Sequence, residues 1–320
     1  MASETGLDRA AVRKTGVRGV AGRAGRGGWA REQRRALRWG LAPALSVLAL
    51  ATLAPAVWLI ITSLTPLTPT DPGSLDFSEP WQNYQQAFSS PEFVRSVWVQ
   101  VELSSVTVVL QLLIGLGIAL LLDKPSKLLE TIRTVFLVPM VLPPIVVAII
   151  WKIIYTPAIS PLHRLGAFLG VPFHSLITNA DTAIWAIAAA DTWEWFPFTM
   201  LMTLAALQMV PKEPQEAARI DGAGAVQLFW HVRLPYIRGT LVVAGLFRLI
   251  DSIKAFPLIY LLTDGGPGGA TQVTNYYAFV QTFNFAYWGY GSAIAMLLVA
   301  GVFVLSLLIS RAGGGMALDE

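Results

Sequence analysis

Six long apolar stretches, near residues 41–62, 97–122, 132–155, 182–210, 239–262 and 286–310, constrain this chain more than any other feature. A hydrocarbon core of about 30 Å takes roughly 20 helical residues to cross. Backbone groups inside lipid are satisfied only within helices or closed barrels, so stretches of this length and continuity read as helices. Composition agrees, since 13% of residues are charged and 54% hydrophobic, against about 25% charged in soluble domains. The expected fold is all-α: a polytopic membrane protein with six transmembrane helices. Asp191 and Glu194 interrupt the fourth stretch.

Positive charge sets the orientation, because Lys and Arg are retained on the cytoplasmic side of a membrane. Ten of the 23 Lys and Arg residues precede residue 41, and 18 fall in segments that a model with the N-terminus inside assigns to the cytoplasm. Both termini are therefore expected in the cytoplasm of a multi-pass protein of the cell membrane. Residues 1–40, Gly/Arg-rich and without hydrophobic periodicity, are expected to be a disordered basic leader, whose positive charge suits a topology signal or anionic lipid. The six-span region 41–310 would follow, then a cytoplasmic tail at 311–320. The first apolar run continues through Trp58 to Ile61 without a small-residue cleavage site, and so reads as a retained span. Arg248 and Lys254 fall within the fifth stretch and need explaining.

Several chemistries are excluded. The chain has no cysteine, which removes disulfides, thiolate metal sites and cysteine nucleophiles. His163, His174 and His231 are scattered without ligand spacing, and no metal site is expected. No Gly-Lys dipeptide occurs, so the phosphate-cradling G-x-x-x-x-G-K-[ST] loop is absent. Outside the membrane, WQNYQQAF at 81–88 suits a short interfacial helix with Trp81 and Tyr84 at headgroup level. Pro139, Pro143 and Pro144 predict a kink in the third stretch.

Charges at mid-membrane depth cost about 2.5–3.5 kcal/mol each on insertion scales and are expected to face a cavity or a partner. From the topology, Asp191, Trp193, Glu194 and Trp195 lie roughly 13–20 Å below the outer surface at 1.5 Å per residue, and Arg248 and Asp251 reach a similar depth from inside. Arg248, Asp251 and Lys254 repeat at i, i+3 and i+6, which allows ion pairs along one helix face. Asp191 or Glu194 would complete the set from the other helix. Packing and substrate contact both remain open as its role, and three acids against two bases suit a neutral polar ligand better than an anion. The run WEWFPF at 193–198 adds rings next to a carboxylate, the pairing that sugar sites use. Residues i and i+2 on a helix point about 200° apart, so at most one of Trp193 and Trp195 lines a pathway.

The cytoplasmic connection 211–238 is long for a link between spans. EAARI suits one short helix, Asp221-Gly222 a turn, and AVQLFWHV a second helix with Val226, Phe229 and Trp230 on an apolar face. An apolar knob on a bent support is suited to a groove in another protein. The stretch from Glu216 to Pro235 keeps a spacing of Glu-Ala-Ala, three residues, Gly222, nine residues, Val232, one residue, Leu234-Pro235. It resembles the coupling motif of permease subunits in binding-protein-dependent ABC importers, with Val232 in place of the more usual Ile. The segment 247–271 further resembles one of the two permeases of carbohydrate importers, the maltose and glycerol-3-phosphate type. Pro257 departs from that pattern, where many relatives carry an acid.

The resemblance implies the type I importer permease architecture and a role for Glu216, Ala217, Ala218, Asp221, Gly222, Phe229, Trp230, Leu234 and Pro235 in coupling to ATPases. It implies as partners a second homologous permease, two cytoplasmic ABC ATPase subunits and an extracytoplasmic sugar-binding protein. ATP and Mg would be used by the ATPases, with no cofactor bound by this chain. Asp191, Trp193, Glu194, Trp195, Arg248, Asp251 and Lys254 are the candidate substrate pathway. An ion-coupled secondary transporter is the alternative, with the mid-membrane acids as cation or proton sites, but the inverted repeat it calls for is not visible. An enzyme would need a nucleophile or metal spacing that is not seen.

Overall fold

The computed structural model describes residues 26–68, 70, 75–124, 126–170 and 175–314, and it is helical, with no strand among these residues. His174, residues 1–25 and residues 315–320 lie outside the described set. The chain divides into two compact units, residues 1–57 and 58–320.

Helix α1 spans Arg26–Ser63, so residues 26–40 of the expected disordered leader are helical. Residues 29–39 contain no Gly or Pro and are rich in Ala, Arg, Gln, Glu and Leu, all strong helix formers. Extending an existing helix also avoids the cost of nucleation. The short α2 (Gln82–Ser89) is the predicted interfacial segment. The Asn83 amide donates to the carbonyls of Ser63 and Thr65 at 3.0 and 2.8 Å, tying α2 to the end of α1. Helix α3 (Pro91–Leu122) begins with a Ser90 cap that accepts from the Phe93 amide.

The third apolar stretch is not one helix. It is divided into α4 (Lys127–Phe136), α5 (Val138–Val141) and α6 (Pro144–Tyr155). Pro139 and Pro144 each sit in the first turn of the following piece, where a missing N–H is harmless. The predicted kink is thus two breaks. Helix α7 (Pro161–Phe168) follows, and α8 (Ala180–Met209) runs unbroken through the fourth stretch. After it come α9 (Lys212–Ile220), α10 (Ala225–Leu228) and a wider π-helical turn at Phe229–Arg233, which feeds α11 (Leu234–Ser252). The fifth stretch, expected to be continuous over 239–262, breaks after Ser252 and resumes as α12 (Phe256–Leu262). Pro257 accounts for the break, because in a continuous helix its ring would crowd the preceding turn and its position would lack a donor. Helices α13 (Thr274–Phe279) and α14 (Trp288–Gly314) complete the chain.

By length and composition, three described helical segments are long and apolar enough to cross a membrane: Gly40–Ser63, Pro91–Leu122 and Trp288–Arg311. Breaks shorten the third and fifth stretches, and the acids of α8 dilute its apolar character.

The tightest helix pairing is α3 against α8. A β carbon on Gly115 would lie 2.1 Å from Thr199 Oγ1 and 2.7 Å from the Met200 amide nitrogen, the small-residue contact that lets membrane helices approach. Because backbone atoms are among those overlapped, Gly115→Val is expected to cost at least the roughly 1–3 kcal/mol of overpacking. The yield of monodisperse protein after detergent extraction should fall severalfold. Gly117→Val, which meets nothing within 4 Å, should leave it unchanged; size-exclusion chromatography of both variants checks this. Below this contact Ala119, Met200, Leu204, Leu207 and Ile237 form one apolar cluster. Above it Leu103, Val147, Ile187, Leu258 and Ile259 form another. The buried charges lie between α8 and α11.

Candidate functional site

Arg248 on α11 is 1% exposed, and three neighbours hold its guanidinium. Its Nε donates to Gln111 Oε1 at 2.8 Å, Nη1 donates to Asp251 Oδ2 at 3.2 Å, and Nη2 pairs with Asp191 Oδ2 at 3.7 Å. The plane lies over the Trp195 ring, 4.5 Å from its centroid, a favourable cation–π placement. Gln111 in turn donates from Nε2 to Asp191 Oδ2 at 2.8 Å and to the Asp191 carbonyl at 3.1 Å. Its own carbonyl accepts from the Thr199 hydroxyl. Lys254 lies 3.7 Å from Asp251 Oδ1; Asp251 is partly open and Lys254 exposed.

Three helices therefore contribute: α3 through Gln111, α8 through Asp191, Glu194 and Trp195, and α11 with its broken end through Arg248, Asp251 and Lys254. The i, i+3 pairing of Arg248 with Asp251 is as the spacing predicts, and of the two acids expected to cross from α8, Asp191 is the one that pairs with Arg248. The two indoles part company: Trp195 lies under Arg248, while Trp193 meets Trp151 edge to face at 5.9 Å in the apolar cluster. Gln111 was not among the predicted residues. Its only signal is an amide in the otherwise apolar run VTVVLQLLIGLG.

Beside this network lies a cavity of about 220 Å³, lined by Asp191, Glu194, Trp195, Asp251, Lys254 and Pro257 among others. Arg248 lies behind this wall. Glu194 is 1% exposed, and its Oε1 has no hydrogen-bond partner. The α11–α12 break opens at the cavity, so backbone and side chains of a discontinuous helix face it, as at transporter binding sites. Among the described residues no cluster of His, Asp and Glu is arranged to hold a metal ion.

The second candidate region is the helix pair at 212–235. Gly222 follows α9 with φ +85°, and its amide donates to the Arg219 carbonyl while the Ala223 amide donates to Ala218. This is a Schellman C-cap, which favours glycine at that position. Gln227 Oε1 accepts from the Gly224 amide at 2.9 Å and opens α10. The apolar side chains point outward: Ile220 is 86%, Val226 71% and Trp230 60% exposed. Phe229 is half-buried and meets Trp230 edge to face, and Leu228 is buried beneath. Glu216 and Ala217 are exposed on α9, while Ala218, Leu234 and Pro235 are partly covered. Ile220 was missed as part of the apolar set, because it belongs to the other helix.

This pair is anchored to the membrane helices by polar contacts. Arg233 pairs with Asp123 at the end of α3 at 3.3 Å and donates to Gln215 Oε1 at 3.1 Å. Gln215 donates to the Val210 and Pro211 carbonyls beyond α8. Arg133 donates to the carbonyls of Leu122 and Lys124, closing the end of α3. Burial pushes the Asp123 carboxyl up from its ordinary value, while Arg233 and Arg133 pull it back.

Residues 111–312, which hold both candidate regions, match the family model described as "Binding-protein-dependent transport system inner membrane component". The chain is 35% identical over 232 residues to the trehalose/maltose transport system permease protein MalF of Thermococcus litoralis, covering 72% of this chain and 78% of that one. It is 34% identical over 264 residues to the sulfoquinovosyl glycerol transport system permease protein SmoG of Agrobacterium fabrum, covering 81% and 84%. In fold it resembles a chain of a bacterial alginate ABC transporter crystallised with an alginate pentasaccharide-bound periplasmic protein. That match has a TM-score of 0.76 at 18% identity and covers 88% of this chain and 96% of the other. The match over residues 111–312 and identity above 30% to curated permeases place this chain in the family of binding-protein-dependent transport system inner membrane components.

Proposed function

We propose that this chain is the membrane permease of an ATP-driven sugar importer and that its exposed helix pair docks the ATPase. It crosses the cell membrane six times with both termini in the cytoplasm. A second, homologous permease completes the pathway, two ABC ATPase subunits supply ATP and Mg chemistry, and an extracytoplasmic binding protein delivers the sugar. The observation that carries this reading is the outward display of Ile220, Val226 and Trp230 on a capped, anchored helix pair. Exposed apolar side chains on a rigid support are what a groove in a partner recognises. The permease names of its relatives, for trehalose/maltose and sulfoquinovosyl glycerol, support a sugar or sugar derivative as cargo. ATP-driven closure of the ATPases would move the helix pair, and Arg233, Asp123 and Gln215 would carry that motion into α3 and α8. The cavity beside Asp191, Glu194, Trp195, Asp251 and Lys254 is the substrate path.

Reconstituted with its permease partner, ATPases and binding protein, the complex is expected to accumulate radiolabelled trehalose or maltose only when ATP is inside the ATPase-facing compartment. Protonophores and sodium ionophores should leave uptake unchanged. Uptake that follows an ion gradient without ATP would favour the ion-coupled alternative, in which Asp191, Glu194 and Asp251 would be the coupling sites.

A further inference from the structure

A second cavity, of about 360 Å³, opens where α3 and α8 end and α9 begins. Helix α9 supplies Lys212, Glu216 and Arg219 to its lining, at the i, i+4 and i+7 positions of one helix face. Asp123, just past α3, and Gln208, near the end of α8, extend the polar wall. These charges are not used alike. Asp123 is paired with Arg233 at 3.3 Å. Among the described residues, neither Lys212 nor Arg219 has a carboxylate within 4.0 Å. Glu216 is likewise without a cation partner, so the wall keeps two free cations against one free acid, a net charge of +1.

The setting says which anion fits. Leu121 and Met209, close in sequence to Asp123 and Gln208, are 73% and 83% exposed. Apolar surface therefore runs up to the rim of the cavity, and unpaired cations begin directly beyond it. That order follows a phospholipid from acyl chain to phosphate, and basic pockets between membrane helices on the cytoplasmic side hold lipid head groups by this chemistry. A phosphodiester carries one negative charge, equal and opposite to the charge left on the wall, whereas a phosphate with two ionisable oxygens carries about 1.5–2. We propose that this cavity binds a phosphate group through Lys212 and Arg219, and that its source is the phosphodiester of a phospholipid in the adjoining leaflet. The two residues are about 10.5 Å apart along the helix axis at 1.5 Å per residue, a gap that two long, flexible side chains close on a phosphate between them. Because α9 carries both cations, the bound head group braces that helix against the ends of α3 and α8, beside the anchor made by Arg233.

The test titrates the assembled complex, extracted in detergent and washed free of lipid, and counts bound molecules by native mass spectrometry. The probes are dioctanoyl phosphatidylglycerol, dioctanoylglycerol with the same chains but no phosphate, and inorganic phosphate. Phosphatidylglycerol should bind the Lys212→Gln/Arg219→Gln complex roughly thirtyfold more weakly than the wild type, the loss that two basic side chains at an anionic head group account for. Both side chains are exposed, so assembly should survive the change. Lys124→Gln/Lys127→Gln removes the same charge from residues outside the cavity lining and should cost no more than about threefold, as screened surface attraction does. Equal affinity of the wild type and the Lys212/Arg219 variant overturns the site, and so does an equal loss in the Lys124/Lys127 variant. In the wild type alone, dioctanoylglycerol that binds as tightly as phosphatidylglycerol overturns the role of phosphate, and inorganic phosphate that displaces the lipid at equal concentration overturns the lipid as its source. Amide hydrogen exchange across Lys212–Ile220 should slow as phosphatidylglycerol binds; unchanged exchange at saturation overturns the brace on α9.

Discussion

Gly222→Val is expected to lower coupled uptake by roughly five- to a hundredfold while leaving the chain folded in the membrane. The glycine holds φ +85° in the Schellman cap, and nothing lies within 4 Å of where its β carbon would stand. The penalty is therefore conformational: a β-branched residue in the left-handed region costs about 1–3 kcal/mol. The exposed turn has an easier escape than unfolding, namely to reopen and swing α10 away from α9. At 1.4 kcal/mol per tenfold, the population of correctly angled helix pairs should drop by roughly five- to a hundredfold. Co-purification of the ATPase and ATP-dependent uptake should fall together, with unchanged extraction of the permease. Gly222→Asn, which tolerates positive φ better, should retain most of both activities. A Gly222→Val complex with normal assembly and uptake would remove the docking role from this loop.

The second large effect belongs to Asp191. Its removal leaves Arg248, at 1% exposure, with the half-open Asp251 as its remaining acid within 4.0 Å, and leaves Gln111 Nε2 without a carboxylate acceptor. Breaking a buried ion pair by deleting one partner costs about 3–5 kcal/mol. Asp191→Ala should thus nearly eliminate assembled complex, with Asp251→Ala giving a smaller loss because water reaches that carboxyl. Arg248→Met added to Asp191→Ala removes the orphaned charge and should restore a large part of assembly. Quantitative affinity purification of the complex from each strain measures this. A double variant as poorly assembled as Asp191→Ala alone would show that these charges do not compensate one another.

How much of this could be read from the sequence depends on how local the signal is. The α9–turn–α10 unit was legible because its spacing, its Gly222 turn and its apolar residues all lie within 20 residues. The pairing of Arg248 with Asp251 was legible because i, i+3 is a helix-face relation, and its crossing to Asp191 followed from depth alone. The opposite fates of Trp193 and Trp195 followed from the helical period. Gln111 was not legible as a partner, since the residues it joins are 80 and 137 positions away and a lone amide in an apolar run does not say which way it faces. The break at 253–255 had a local cause in Pro257, but a hydrophobic run masks it: apolar content continues on both sides while backbone geometry does not. Residues 26–40 misled in the other direction, because glycines near 27–28 hide the helix-forming run that starts at Trp29 and leads into α1.

The most direct measurement of coupling exploits a chain without cysteine. Single Val226→Cys and Trp81→Cys variants, both at exposed positions, are labelled with a thiol-reactive benzophenone in membranes containing the whole complex, then irradiated. Val226→Cys is expected to cross-link to the ATPase subunit, more strongly or more weakly as ATP is added, and Trp81→Cys to give no ATPase adduct. An intact complex in which Val226→Cys captures no ATPase would contradict docking through the Glu216–Pro235 helix pair.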